Sequence, residues 1–472
     1  MFWKFGERIS AQGVSFIVSV ILSRLLLPED FGTVALVLIF ISIAAVFTTS
    51  GFSTALVQDR HADSVDFSTN FYCSLAVSVL IYGVMFLIAP FLSDFFRIPE
   101  LTLIIRVFSL RIPLSAYSSI QHAYVERNML FRRFFFSTLI GTVVSGAVGI
   151  ILAYCGFGVW ALIVQYFTNT VIDIAVLSIT IPWHPELRFS AASAKRMMRY
   201  GWKVFAADLS GTLFDQLRSF LVGGIFTSSD LAFYNKGKQI PDLISVNVGS
   251  SVMTVLFPAL ANVNDNKEQV KLMTRRAASL LSYIMFPMFT GLAVVAEPLI
   301  ITLFSEKWSE SIIFLRILSI SAVISVVSSI SLQIFKAIGR SDTLLFLEVL
   351  KKPVYLILLI IGINIDTVAV AVTLMIYNIY SSAVNCVYLK KLTGYTFAQQ
   401  FSDIAGALIM SVSMGAVVWL ISFLPLGYPL ILTIQIVTGT AYYFAVSVLT
   451  HNRSYMYLMD IYHSRKMEGN KL

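Results

Sequence analysis

Apolar residues run in long blocks along this chain, with polar residues gathered in short stretches between them. An α-helix needs about 20 apolar residues to cross the ~30 Å hydrocarbon core of a bilayer. Blocks of that size recur from end to end. They predict fourteen membrane helices, at residues 10–26, 33–52, 71–93, 101–125, 134–155, 158–182, 201–225, 241–261, 278–303, 311–335, 343–363, 367–389, 403–424 and 429–449. Turn residues mark the intervals, among them Pro28 to Gly32, Pro99, Gly156 with Gly158, Pro182 with Pro185, Gly339, Gly362 and Pro425 to Pro429. No small-residue cleavage site follows the first block, which is therefore expected to stay as a span.

The charges in the polar stretches test this count, because basic residues concentrate on the cytoplasmic side of a membrane protein. With the N-terminus in the cytoplasm, 22 of the 34 Lys and Arg residues fall on cytoplasmic stretches and 4, namely Arg97, Lys236, Lys238 and Lys307, on outside loops. One lost or spurious helix would invert every later loop and erase the contrast. The chain is thus expected to have both termini in the cytoplasm and no extramembrane domain. The basic stretch Trp183 to Tyr200 is expected along the cytoplasmic surface.

Composition agrees. Mean hydropathy is +0.81, and charged residues make up 13% of the 472, against ~25% in soluble proteins. A net charge of +8 would suggest nucleic acid for a soluble protein. Here it sorts by membrane side, and no nucleic acid partner is expected. Cys73, Cys155 and Cys386 fall in apolar blocks without CxxC spacing, and the five histidines show no ligand spacing. No cofactor, metal site or catalytic residue is expected. The chain lacks a Gly-Lys-Ser/Thr phosphate loop, a Gly-x-Ser-x-Gly elbow and a long outside loop. An ATP-driven pump and a membrane enzyme of glycan assembly are both disfavoured.

An internal repeat sets the domain plan. Arg106-Val107-Phe108-Ser109 echoes Arg316-Ile317-Leu318-Ser319, Ser115 echoes Ser325, and Ser118-Ser119-Ile120 echoes Ser328-Ser329-Ile330, all at one offset of 210 residues. Arg24 in the first helix is echoed by Arg218 in the seventh. An even number of helices separates each pair, so the halves run parallel. The plan is a lobe of helices 1–6 (1–182), a cytoplasmic linker (183–200), a lobe of helices 7–12 (201–390), helices 13–14 (391–450) and a cytoplasmic tail (451–472).

A charge at the bilayer centre costs about 2.5–3.5 kcal/mol on insertion scales, so it must face protein or a wet cavity. Arg24, Arg106, Arg111, Lys203, Arg218, Arg316, Lys351 and Lys352 fall within spans and outnumber the acids there, Asp173, Asp208, Asp215, Glu297 and Glu348. Asp215 with Arg218 and Glu348 with Lys352 are spaced for pairing on a helix face. Arg24, Arg218, Lys351 and Lys352 are expected deepest, where a wet cleft between two lobes would draw an anion such as phosphate. Gln12, Ser15, Arg111, Asp215, Tyr377 and Asn378 are candidate lining. The small residues from Gly141 to Gly149 suit helix packing.

Three stretches carry a family resemblance: Ser23-Arg24-Leu25-Leu26-Leu27-Pro28-Glu29-Asp30-Phe31-Gly32, Asp230-Leu231-Ala232-Phe233-Tyr234-Asn235-Lys236, and Lys336-Ala337-Ile338-Gly339-Arg340 with Lys351-Lys352-Pro353. Over nearly its whole length the chain resembles the polysaccharide flippase branch of the multidrug/oligosaccharidyl-lipid/polysaccharide exporter superfamily, of the colanic acid and teichuronic acid exporter type. The resemblance implies an all-α membrane protein with two pseudo-symmetric six-helix lobes around a central cationic cavity, plus two C-terminal helices. It implies transfer of an undecaprenyl-pyrophosphate-linked oligosaccharide across the bacterial cell membrane by alternating access. It also implies membrane lipids, a polysaccharide polymerase and chain-length machinery as partners. Coupling to a proton or sodium ion stays open, since helices one and two hold no acid suited to it. A drug or cation antiporter of the same superfamily would need a net acidic cavity, which the basic excess opposes. A lipid II flippase is a further alternative.

Overall fold

A computed structural model describes residues 2–49, 56, 62–261, 267–338, 340–457 and 459. The expectations for the Lys203 side chain, for Gly339 and for the tail from 460 onward lie outside the described residues. Among the described residues the α-helices are α1 (Phe2–Leu25), α2 (Pro28–Thr49), α3 (Ser64–Phe96), α4 (Leu101–Phe108), α5 (Arg111–Arg127), α6 (Phe131–Tyr154), α7 (Val159–Thr180) and α8 (Ala191–Ile225). They continue with α9 (Ser228–Ala261), α10 (Lys267–Val294), α11 (Ala296–Phe304), α12 (Ser311–Ala337), α13 (Ser341–Ile363), α14 (Thr367–Thr393), α15 (Phe397–Ile421) and α16 (Tyr428–Leu449).

The protein is an all-α membrane protein. Among the described residues, ten helical segments are long and apolar enough to cross a bilayer. The other four expected spans fall in α1, α8, α9 and α13. Arg24, Arg218, Lys351 and Lys352 all lie on these helices.

Two expected spans are broken. The block at 101–125 forms α4 and α5, interrupted at Ser109–Leu110. The block at 278–303 forms α10 and α11, interrupted at Val295. In each case the third residue after the break is proline, Pro113 or Pro298. Proline has no N–H for the preceding turn but suits the first turn of a new helix.

Caps fix the other boundaries. Asp63 accepts from Asp66 N at 2.8 Å, and Asp66 accepts from Asp63 N at 3.1 Å, a reciprocal box that opens α3. Arg97, left-handed at φ 57°, closes it. Pro28 opens α2, and Asp30 reaches back to Leu27 N at 3.0 Å. The same turn recurs 200 residues on, where α8 ends at Ile225, α9 starts at Ser228, and Asp230 accepts from Thr227 N at 3.0 Å.

The chain packs as two compact units, Met1–Ala232 and Phe233–Leu472. α8 belongs with the first, because Phe220 sits among Phe40 of α2 and Phe95 and Phe96 of α3. The stretch Trp183 to Tyr200 is tied into the first unit. Trp183 is buried against Phe67 and Tyr124, and Glu186 N and Ser190 N donate to Ser68 and Thr69 of α3. Arg196 pairs with the buried Asp66 at 2.8 Å, and Ser193 also donates to that carboxylate.

Close approaches explain several glycines. A Cβ on Gly146 of α6 would meet Val18 of α1 at 2.4 Å, and one on Gly149 would meet Gln165 of α7 at 3.0 Å, which makes this a helix-packing face. A Cβ on Gly32, at the start of α2, would lie 1.8 Å from the backbone oxygen of Ser228. The second unit is built around Phe286 and Phe289 of α10, Ile334 and Phe335 of α12, and Tyr443 of α16.

Candidate functional site

In the first unit, α5 and α7 are zipped by polar side chains. Residues 111, 118 and 122 lie on one stripe of α5, and residues 166, 170 and 173 on one stripe of α7, at helical spacing. Arg111 Nε donates to Thr170 Oγ1 at 2.8 Å, and its guanidinium carbon lies 5.5 Å from the Tyr166 ring centroid. Among the described residues it makes no ion pair.

Further along, Ser118 Oγ donates to Asp173 Oδ2 at 3.0 Å, and His122 Nε2 lies 2.8 Å from the same oxygen. Gln121 Nε2 donates to Ser178 Oγ at 2.8 Å. From Arg111 to His122 the ladder rises about 16 Å, roughly half the thickness of a hydrocarbon core. Each rung lets an in-span polar group find a partner that lipid cannot supply.

The second unit repeats the device between α12 and α14. Asn378 Nδ2 donates to Ser321 Oγ at 2.8 Å, Ser382 Oγ to the carbonyl of Ile324 at 3.1 Å, and Asn385 Nδ2 to Ser328 Oγ at 2.6 Å. Ser328 Oγ also lies 3.4 Å from Ser381 Oγ. The offset of 210 residues aligns Arg111 with Ser321 and Ser118 with Ser328, and their partners align at 208: Thr170 with Asn378, Asp173 with Ser381. The sequence repeat is therefore a repeated helix interface. The cation enters it differently. Lys351 of α13 donates Nζ to Asn385 Oδ1 at 3.4 Å and lies 3.5 Å from Glu348. Lys351 is 2% exposed, whereas the Glu348 side chain is 49% exposed, so the buried end of the pair is the cation.

Asn385 bridges Lys351 and α12. Asn385→Ala is expected to lower the unfolding midpoint by several degrees, since it removes one hydrogen bond from a buried ammonium and one from the Ser328 hydroxyl, together about 1–3 kcal/mol. Thermal unfolding in detergent checks this.

The remaining sequence candidates sit as follows. Arg218 is 8% exposed, two turns before the end of α8. Arg24 is exposed in the last turn of α1. At the repeated turn's offset of 200, Arg24 corresponds to Gly224, and Arg218 lies six residues earlier. At a helix C-terminus Arg24 also complements the helix dipole. Gln12 and Lys352 are half-buried, and Ser15 and Asp215 are exposed. Tyr377 is half-buried, with its ring centroid 5.2 Å from that of Tyr355. Arg106 and Arg316, paired by the repeat, bind differently: Arg106 lies over the Phe86 ring at 4.2 Å, and Arg316 pairs with Glu297 at 3.2 Å.

Sequence reasoning missed the rungs of α7. Thr170 carried no signal, but Asp173 was an in-span acid in want of a partner, and His122 lies four residues from Ser118.

Comparison with known proteins bears on identity. The sequence profile of the family described as polysaccharide biosynthesis protein matches residues 21–313. The succinoglycan biosynthesis transport protein ExoT of Rhizobium meliloti is 25% identical over 342 residues, 72% of this chain and 69% of that protein. The lipopolysaccharide biosynthesis protein WzxC of Escherichia coli is 22% identical over 368 residues, 76% of this chain and 74% of that one. Among solved structures, the lipid II flippase MurJ in an inward closed conformation matches with a TM-score of 0.76 at 15% identity, covering 96% of this chain and 99% of that one. An inward-facing multidrug resistance MATE transporter of the MOP superfamily matches at 0.66 and 16% identity, covering 81% and 94%. These two likenesses are of fold. The family match takes in more than half of the sequence, and the chain belongs to the polysaccharide biosynthesis protein family.

Proposed function

We propose that this chain is a flippase that moves an undecaprenyl-pyrophosphate-linked oligosaccharide repeat unit across the bacterial cell membrane, with fourteen spans and both termini in the cytoplasm. It is a membrane transporter in polysaccharide biosynthesis and not an enzyme. The observation that carries the reading is the set of cations inside the spans. Arg218 and Lys351 are 8% and 2% exposed, and Arg111 is held by the neutral Thr170 and Tyr166.

Keeping a charge there costs energy that a packed apolar residue would not. A pyrophosphate headgroup offsets that cost, since guanidinium binds phosphate oxygens through a fork and ammonium binds them as a point charge. In this reading Arg24, Arg218, Lys351 and Lys352 are the candidates for holding the pyrophosphate. Hydroxyl and amide groups such as Tyr377 and Asn378 accommodate sugars. The prenyl tail stays in lipid, and alternating access carries the headgroup across. The relatives named for succinoglycan and lipopolysaccharide biosynthesis support a polysaccharide precursor as the cargo.

Ligand chemistry tests the reading. Undecaprenyl-pyrophosphate-linked oligosaccharide is expected to raise the unfolding midpoint of the purified chain by several degrees, and uncharged undecaprenol by none. Equal responses to the two would contradict a phosphate-holding cavity.

A further inference from the structure

The second unit holds a cavity of roughly 590 Å³ where α10 and α15 begin and the segment after α16 returns, within the ~300–1,000 Å³ range of small-molecule sites. It is distinct from the polar ladders. Arg275 and Arg276 of α10, Asp403 of α15 and Arg453 supply the charges, and Leu272, Leu280 and Ala407 the apolar wall.

Asp403 is the carboxylate of the lining, and it is already engaged. It accepts Arg275 Nε and Nη2 at 2.7 and 2.8 Å and the Tyr395 hydroxyl at 2.8 Å. Tyr395 lies in the turn before α15, where burial, then the adjacent Asp403, pushes its hydroxyl well above the ordinary value and keeps it a donor. Three guanidinium groups against one carboxylate leave two positive charges. Arg276 and Arg453 are exposed and make no ion pair among the described residues. Gly406 lines the cavity, and a Cβ there would meet nothing within 4 Å.

α10 and α15 are both membrane-spanning by length and composition. The cavity therefore lies near one end of two spans, the end that carries Arg275, Arg276 and Arg453. A site with forked cations on the rim, an apolar wall below and lipid alongside suits an amphiphile with a phosphate head. We propose that this cavity binds the headgroup of an anionic phospholipid, its phosphate held by Arg276 and Arg453 and an acyl chain laid along Leu272 and Leu280.

The test titrates the purified full chain, in neutral detergent, with short-chain phosphatidylglycerol, phosphatidylcholine and inorganic phosphate, following the unfolding midpoint. Phosphatidylglycerol is expected to stabilise the chain saturably, phosphatidylcholine not at all, and inorganic phosphate only at far higher concentration. The double variant Arg276→Gln with Arg453→Gln is expected to need about tenfold more phosphatidylglycerol. Lys390→Gln, an exposed charge removed from the same side but outside the cavity, is expected to behave as wild type. Gly406→Leu keeps every arginine and fills the space, so it is expected to lose the response even if the double variant does not fold. Saturation by inorganic phosphate at the concentration that suffices for the lipid would overturn the lipid assignment in favour of a soluble anion. An unchanged phosphatidylglycerol response in Gly406→Leu, or in the folded double variant, would overturn the site itself.

Discussion

Arg218→Ala should cut export of the lipid-linked repeat unit by about 10- to 150-fold while the protein still inserts and folds. The range follows from the chemistry. A hydrogen bond to a charged group contributes about 1.5–3 kcal/mol, and each 1.4 kcal/mol is tenfold in affinity. Arg218 is 8% exposed two turns inside the end of α8, so its guanidinium is surrounded by protein. Arg218→Lys separates charge from geometry. Lysine keeps the cation but loses the planar fork, so it should restore part of the export that alanine removes. Surface polysaccharide in cells, normalised to the amount of folded protein, measures both. Equal export by alanine and wild type would remove Arg218 from the site.

Gly32→Ala should have the largest effect on the fold. The new methyl would lie 1.8 Å from the carbonyl oxygen of Ser228 and 2.4 Å from its carbon. Both obstacles are backbone, so no side-chain rotation relieves the clash. The turn between α1 and α2 would have to separate from the start of α9, which breaks packing inside the first unit. Destabilisation of more than about 4 kcal/mol marks exceptional substitutions, and this one belongs with them. Most of the protein should be lost from the membrane fraction, and the remainder should elute broadly on size exclusion. Gly13→Ala is the control, because a Cβ there meets nothing within 4 Å. It should be neutral or slightly stabilising, since alanine favours helix over glycine.

The same contact shows how far sequence alone reaches. The resemblance singled out the stretch from Ser23 to Gly32 as a motif but could not say why glycine ends it. The reason is a carbonyl 196 positions away in the chain, and no local pattern encodes that approach. The apolar spans were legible because hydrocarbon imposes one length on every crossing helix. The breaks at Ser109–Leu110 and at Val295 were legible in principle, since Pro113 and Pro298 each stand where a helix can start but not continue.

The offset of 210 residues was also legible, and the structure gives it content as matching rungs, Arg111 to Thr170 and Ser321 to Asn378. The echo between Arg24 and Arg218 was misleading. Two arginines in apolar helices look alike in sequence, but the register of the adjoining turns sets them six residues apart. The basic cavity of the second unit was illegible, because Arg275 and Asp403 lie 128 positions apart and meet only when α10 packs on α15.

Transfer in this reading requires cations within the spans to meet a negatively charged headgroup. Proteoliposomes holding the purified chain and a fluorescent undecaprenyl-pyrophosphate-linked oligosaccharide put this to the test, with a membrane-impermeant quencher added to read how much label has changed leaflet. Wild-type chain should expose label to the quencher well above empty liposomes, and Lys351→Ala should fall to the empty-liposome rate at equal folded protein. Transfer by Lys351→Ala and Arg218→Ala at the wild-type rate would contradict the account.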